Sequence, residues 1–276
     1  YQYAVYLLQN ILKGGESVDS KGFINNVAPS NTVFPIGESS DSKKITITPD
    51  NIQLAYGVKG FKNIASKEII AGFETFSFTK NVFTTDSLGI YSPKTLHLLN
   101  NIGKYHGTHY VYADKIVTVL DPIAISLYYY GFKMVELVAK PEFNDRVDVI
   151  SGKKIRTVIN MTTVDIVNDP VNYIEPRCYC GVLQSKHQDI PHEFIQGKFT
   201  YHKSGGKYES MAANIRLVYN DRQNYNGSMI KVLIGSRVTA EGIDYKYISN
   251  IHIFNMWFNF TRIEQVIGRG SRNCSH

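Results

Sequence analysis

The sequence has few of the features that mark disulfide-stabilised or membrane proteins. Its 276 residues include only three cysteines, an odd set that does not suit a disulfide framework and favours a reducing compartment such as the cytosol. No run of about eighteen apolar residues occurs, so no transmembrane helix and no membrane partner are expected. The sequence starts at Tyr1 without a secretory pattern, and we expect it to be part of a longer chain.

Apolar residues make up 43% of the sequence and charged residues 20%, as in globular proteins with one large domain or two small ones. Thirty Lys and Arg residues against 24 Asp and Glu residues give a net charge of +6. This modest excess suits a polyanionic partner such as nucleic acid but does not identify one.

Residues 1–91 contain no recognisable chemical motif. Gly14-Gly15, the polar run 37–44 and Pro49 divide them into short pieces, and only 45–48 alternates like a strand. We expect 1–91 to be an accessory segment or the remnant of a preceding domain, and 92–276 to be the main domain.

A regular pattern begins near residue 92. It predicts a helix, a strand, a second helix and a second strand at 95–102, 109–113, 123–130 and 133–138. Asp121 is the expected N-cap of the second helix, Pro122 its first residue and Gly131 its terminator. A strand-helix-strand unit with short joints predicts an α/β fold with a parallel sheet.

The later part of the chain returns to this rhythm after an insertion predicted at about 140–195, which has little regular helix. The predicted elements are strands at 199–202, 229–234 and 251–254, and a helix at 208–219 with Met211, Ile215 and Val218 on one stripe. A last helix is expected to begin at Thr261, where Thr261 and Glu264 form a capping box.

The last helix carries an unusual polar face. Gln265, Arg269 and Arg272 are spaced i, i+4 and i+7 and therefore share one side of it. Two like charges and the glycines 268 and 270 each weaken a helix, so local stability does not explain this sequence. Paired guanidinium groups match the oxygens of phosphate, which indicates a phosphate-binding function.

A second motif, 235–244, follows the buried strand at 229–234. Such a Gly/Ser/Thr-containing loop stands where open α/β sheets bind their ligands. Its hydroxyl and amide groups can hold a phosphate, while Glu241 and Asp244 can bind a ribose or orient an arginine.

Together these motifs resemble the second RecA-like lobe of superfamily 2 helicases, a parallel sheet with helices on both faces. Residues 235–244 resemble the fifth helicase motif, 265–272 the sixth and, more weakly, 109–113 the fourth. The resemblance covers about 92–276 and is closest to helicases and early-transcription ATPases of large cytoplasmic DNA viruses such as poxviruses and asfarviruses. It implies the host cytoplasm as the location, or the virion, and transcription machinery as a possible partner.

In that family the first lobe holds ATP and Mg²⁺, and the second lobe closes over them. The resemblance implies that Arg272 is the main arginine finger on the γ-phosphate and Arg269 a second phosphate contact. Gln265, where many family members have His, would link the nucleotide to the cleft. The sequence contains no Gly-x-x-x-x-Gly-Lys-Ser/Thr loop and no acidic Asp-Glu motif, so the first lobe is expected elsewhere in the parent chain and this part alone is expected not to hydrolyse ATP.

The remaining implied contacts divide between the two ligands. Gly242 and Asp244, with Glu241, would line the nucleotide side of the cleft. The implied contacts to the nucleic acid, DNA or RNA, are Ser236, Arg237, Thr239 and Tyr112.

Four alternatives compete with these assignments. The arginine face could be an ordinary solvated helix surface, and the lobe could be a helicase-derived scaffold or transcription-factor module without catalysis. Cys178, Cys180, His187 and His192 could form a zinc site, but the Cys-x-Cys spacing is too short, and we expect no metal there. Trp257, Phe258 and Phe260 could stack on bases, although core packing is favoured.

Overall fold

The computed structural model describes residues 31–36, 51–70, 73–80, 82–168, 197–202, 207–236, 245–255 and 260–271. The helices are α1 Gly57–Ile64, α2 Thr85–Tyr91, α3 Pro93–Lys104, α4 Asp121–Tyr129, α5 Lys207–Tyr219 and α6 Phe260–Ser271. The strands are β1 Ala65–Ile70, β2 Phe73–Phe78, β3 Thr108–Tyr112, β4 Lys133–Glu136, β5 Phe143–Val147, β6 Lys154–Val158, β7 Thr162–Val164, β8 Lys198–His202, β9 Val232–Gly235 and β10 Ile248–Ile253. No helix among these is long and apolar enough to cross a membrane.

The described residues fall into two compact units that alternate along the sequence. The first takes those within 1–100, 115–130 and 166–177, and the second those within 101–114, 131–165 and 178–276. The domain boundary expected near residue 91 stays a prediction.

The first unit contains an antiparallel pair, β1 and β2, beside a cluster of aromatic side chains. Phe61 lies edge-on to Phe34 at 6.0 Å and to Phe76 at 5.6 Å between ring centroids. All three rings are almost fully buried, and such pairs add stability beyond the area they bury.

The second unit is built on a six-stranded sheet in the order β10-β3-β9-β8-β4-β7. Every neighbouring pair is parallel except β4 and β7. The α/β fold expected from the sequence is therefore confirmed, and the sheet is mostly parallel as a RecA-like lobe requires. The strands β3 and β4 run in the same direction as predicted, but β9 and β8 lie between them.

Helices α5 and α6 share one core with this sheet. The predicted stripe of α5 is confirmed, since Met211, Ile215 and Val218 are each no more than 1% exposed. They join Val266 of α6 and side chains of β3, β4 and β9 in that core, namely Tyr110, Tyr112, Val135 and Leu233. All four residues of β9 are buried, so this strand is covered on both faces. Its apolar sequence is usual for such parallel strands.

The structure corrects two predicted caps. Asp121 is not an N-cap, because a π-helix at Ile116–Leu120 runs directly into α4 and leaves Leu120 in that position. Gly131 does end this segment as expected, with a positive φ of 85°. The last helix begins at Phe260, one residue before the expected start, so Thr261 lies within its first turn rather than at its N-cap.

Two further differences concern strands. The strand expected at 229–234 begins only at Val232, because the amides of Met229 and Ile230 bind Asn224 instead of a neighbouring strand. The region 140–165 of the predicted insertion forms an antiparallel hairpin, β5 and β6, followed by the short edge strand β7. The strand expected at 45–48, the Cys/His set at 178–192 and the residues Trp257 and Phe258 lie outside the described residues.

Candidate functional site

The two motifs singled out from the sequence follow neighbouring strands of the second unit. The loop motif follows β9 and the arginine helix follows β10, and these two strands flank β3 in the sheet. Because all three strands are parallel, their carboxyl ends reach the same edge. This edge is where open α/β sheets bind their ligands.

Main-chain hydrogen bonds hold the three strands together up to this edge. The amide of Ala113 donates to the carbonyl of Gly235 at 3.2 Å, and the amide of Phe254 donates to the carbonyl of Tyr112 at 2.9 Å. The chain therefore leaves β9 and β10 from fixed positions on either side of β3.

Ser236, the residue of the loop motif directly after β9, is 4% exposed. It therefore lies at the predicted edge, but little of its side chain is open to solvent in this structure. The loop residues Arg237, Thr239, Glu241, Gly242 and Asp244 lie outside the described residues.

Tyr112 ends β3 and is 3% exposed, and its hydroxyl donates a 2.8 Å hydrogen bond to Oδ1 of Asp114. Its predicted contact with nucleic acid stays a prediction, and as the side chain stands only a small part of it could make one. Asp114 was not singled out from the sequence. The signal that could have found it is its place directly after a buried strand, where the loop motif also stands.

Helix α6 buries part of its apolar side, although Ile267, which we expected away from the polar face, is 47% exposed. Ile263 and Val266 are 7% and 0% exposed and pack inward, whereas Gln265 is exposed. Arg269 lies one turn beyond Gln265 in the same helix, and Arg272 lies outside the described residues. A Cβ added at Gly268 would meet no atom of the described residues within 4 Å, which leaves space among them for a ligand or another backbone beside this turn.

Behind the edge, a pair of histidines joins β3 to β10. Nδ1 of His109 and Nε2 of His252 are 2.9 Å apart, and the rings stack with centroids 5.2 Å apart. The other nitrogen, Nε2 of His109, lies 3.0 Å from the carbonyl oxygen of Tyr105, which can only accept a hydrogen bond. Burial, with His252 and Lys231 nearby, lowers the pKa of His109 to about 3, so its ring is neutral and Nδ1 accepts from His252.

Comparison with known proteins confirms the resemblance. Residues 182–274 match the family described as helicase conserved C-terminal domain. A protein of Acanthamoeba polyphaga mimivirus named "Putative ATP-dependent RNA helicase" is 28% identical over 91% of this chain and 23% of its own length. A second mimivirus protein of that description is 38% identical over 26% of this chain and 13% of its own length.

The early transcription factor large subunit homolog of African swine fever virus is 30% identical over 40% of this chain and 10% of its own length. This chain thus spans less than a quarter of each of these relatives. No solved structure shows a significant match. The chain resembles the carboxyl-terminal lobe of superfamily 2 helicases, in the form found in large DNA viruses.

Proposed function

We propose that this chain is the carboxyl-terminal RecA-like lobe of an ATP-dependent helicase or translocase, and that it acts on ATP held by a preceding lobe. The observation that carries the proposal is the match of 182–274 to the helicase C-terminal domain, in which the two motifs follow strands flanking β3. A loop and a helix that leave one edge of a parallel sheet can close together over a ligand.

In this proposal the arginine helix supplies positive charge to the triphosphate. Arg272 contacts the γ-phosphate, Arg269 makes a second phosphate contact, and Gln265 links the nucleotide to the cleft. The burial of Val266 supports this arrangement, because it fixes the rotation of α6 and leaves Gln265 on the exposed side. A guanidinium that neutralises charge on the transferred phosphoryl group raises the rate about 10³–10⁵-fold.

The loop motif takes the two remaining ligand contacts. Glu241, Gly242 and Asp244 line the nucleotide side, and Ser236, Arg237 and Thr239, with Tyr112, approach the nucleic-acid backbone. No group of three or more His, Cys, Asp or Glu side chains in the described part of the chain could hold a metal ion, and the proposal gives Mg²⁺ to the preceding lobe. That lobe would belong to the same parent protein, which we expect in the host cytoplasm.

A second candidate is a helicase-derived scaffold without catalysis. It is favoured by the likeness of 40% of this chain to the early transcription factor large subunit homolog of African swine fever virus. In this case the chain would bind nucleic acid or transcription machinery and need no arginine finger.

ATP hydrolysis by the full parent protein that contains this sequence distinguishes the catalytic lobe from the scaffold. We expect single-stranded DNA or RNA to stimulate hydrolysis and Arg272→Ala to reduce it by several hundred-fold or more, because the transition-state charge loses its partner. Arg222→Ala, which removes an exposed arginine ahead of β9, is the matched control and should hydrolyse ATP at the unchanged rate.

Circular dichroism of each variant checks that the fold is kept. An Arg272→Ala protein as fast as the parent would refute the arginine-finger role. A parent that binds nucleic acid but never hydrolyses ATP would favour the scaffold.

A further inference from the structure

Three lysines stand side by side at the amino-terminal edge of the parallel sheet. Lys133 begins β4 and pairs with Lys198, which begins β8. The amide of Lys231, the residue before β9, donates to the carbonyl of Lys198 at 2.8 Å. Neighbouring strands are about 4.8 Å apart, so the three main-chain positions span roughly 10 Å. We call Lys133, Lys198 and Lys231 the lysine row.

The lysine row opens into a cavity of about 860 Å³ within the second unit. The cavity has the size of a small-molecule site and is also lined by His106, Ser228 and Ser249. Among the lining residues that the structure describes there is no Asp or Glu, so this part of the cavity wall is basic. Side-chain hydroxyls and ammonium groups are the donors that anions require.

The surrounding main chain leaves little freedom to Lys231. A Cβ added at Gly227 would lie 3.0 Å from Cα of Lys231, and one added at Gly197 would lie 3.1 Å from its Cβ. A side chain at either position would push against the lysine stem by a few tenths of an ångström, so glycine suits this close approach. The cavity wall is therefore shaped around Lys231.

Asn224 fixes the loop that forms one wall of the cavity. Its Oδ1 accepts from the amides of Met229 and Ile230, both at 2.9 Å, and its Nδ2 donates to the carbonyl of Ile230 at 3.1 Å. The side chain is fully buried. The loop thus holds Ser228 and Lys231 in place before a ligand arrives, which lowers the entropy lost on binding.

The electrostatics of the lysine row favour an anion. Like charges opposite one another on neighbouring strands repel. Lys231 is only 3% exposed, and its burial lowers its pKa to about 8. A bound anion would relieve both the repulsion and the cost of burying this charge. Lysine is a compact point charge with three donors and a common ligand of phosphate.

We propose that the lysine row binds the oligophosphate chain of a small ligand, either free or carried by a nucleotide. The parallel strands carry the lysine row at their amino ends and the candidate helicase motifs at their carboxyl ends, so this anion site is distinct from the proposed ATP site. The cavity volume leaves room for a nucleoside beyond the phosphates.

Titration calorimetry of the 276-residue chain with inorganic pyrophosphate tests the lysine row without any hydrolysis. We expect pyrophosphate to bind and the Lys133→Gln/Lys198→Gln variant to lose affinity by at least about tenfold, because each lost ammonium removes a charge-assisted hydrogen bond. Lys198→Arg, which keeps the charge, should bind within a few-fold of the parent. Lys153→Gln/Lys154→Gln, in the exposed hairpin, is the matched control and should bind like the parent.

Circular dichroism confirms that each variant is folded. If the double variant unfolds, the single variant Lys133→Gln replaces it, because Lys133 is exposed, and its affinity for pyrophosphate should fall about threefold. Titration with ADP distinguishes the source of the oligophosphate. If ADP binds more tightly than pyrophosphate and its binding depends on the lysine row, the ligand is a nucleotide. If the two bind equally, the ligand is a free oligophosphate. Absence of pyrophosphate binding at millimolar concentration would overturn the proposal. So would an equal loss of affinity in the hairpin control, or equally tight binding of citrate.

Discussion

Some polar residues of the second unit have structural roles that become visible only from their hydrogen-bond partners in the folded chain. Asn224 satisfies the amides of Met229 and Ile230, and His109 binds across to His252 from the neighbouring strand. Asparagine and histidine are also frequent in exposed loops, so residue type alone did not single out either one. Arg269 and Arg272 were singled out from the sequence because their spacing is local information, and their contact with phosphate stays a prediction.

The histidine pair predicts how stability depends on pH. His109 has a pKa of about 3 in the folded chain and about 6.5 when unfolded, so the unfolded state binds more protons between these values. The free energy of unfolding is therefore expected to fall as the pH drops from 6.5 towards 3. One proton gives a slope of up to about 1.4 kcal/mol per pH unit. Urea unfolding at a series of pH values from 7 to 5 measures it.

The variant His109→Gln tests the origin of this slope. Its amide can still donate to the carbonyl of Tyr105 but does not titrate, so the pH dependence should be shallower by the contribution of one proton. His97→Gln, in α3, is a control in which the slope should be retained. A His109→Gln chain with the parent's slope would assign the titration to other groups.

At the scale of helices and strands, the sequence predicted what local periodicity encodes. Helices α3 and α5 and strands β3 and β8 lie within a few residues of their predicted positions, because their apolar residues recur with a clear period. The hairpin of β5 and β6 was not predicted. All five residues of β5 are exposed, so the strand carries no buried face that would produce an alternating pattern.

One arginine adds side-chain contacts to the main-chain pairing of this hairpin. Nε and Nη2 of Arg156 donate to the two carboxylate oxygens of Asp145 at 2.6 and 2.7 Å, across the β5-β6 pair. Nη1 donates to Oδ2 of Asp221 at 2.9 Å, and the guanidinium lies 5.2 Å from the ring centroid of Phe143. The Arg156 hydrogen bonds hold the pKa of Asp145 below its usual value.

Arg156→Lys is expected to loosen the hairpin while leaving the sheet of the second unit intact. Lysine keeps the charge but cannot form the two parallel hydrogen bonds and reach Asp221 at once. Hydrogen exchange of the β5 and β6 amides should become faster, with little change in β3 and β9. Arg146→Lys on β5 is the matched control and should exchange like the parent. Unchanged protection of β5 and β6 in Arg156→Lys would show that the strand pairing alone holds the hairpin.

At the scale of the whole sheet, strand order decides which functional residues become neighbours. The sequence indicated a parallel sheet, but not that β10, β3 and β9 are neighbours, since these strands are far apart in the chain. The same order brings Lys198 and Lys231 beside Lys133. Each lysine is unremarkable in its own segment, so the lysine row could not be predicted from local patterns.

The chain's net charge of +6 leads to a prediction about nucleic-acid binding. Each phosphate neutralised on a single strand contributes about −0.7 to the slope of the logarithm of affinity against that of salt concentration. If Arg237 contacts the backbone as proposed, Arg237→Ala should make the slope shallower by about 0.7. Fluorescence anisotropy of the chain with a labelled single-stranded oligonucleotide, at several salt concentrations, measures this change.

Two variants give the result its meaning. Lys153→Ala changes the net charge by the same amount in the turn between β5 and β6 and should leave the slope unaltered. A loss of affinity in Arg237→Ala without a change in slope would contradict a phosphate contact. Equal slope changes in both variants would mean that nucleic acid responds to the overall charge of the chain rather than to the loop after β9. Each variant removes one positive charge, so only a local phosphate contact at Arg237 can make their slopes differ.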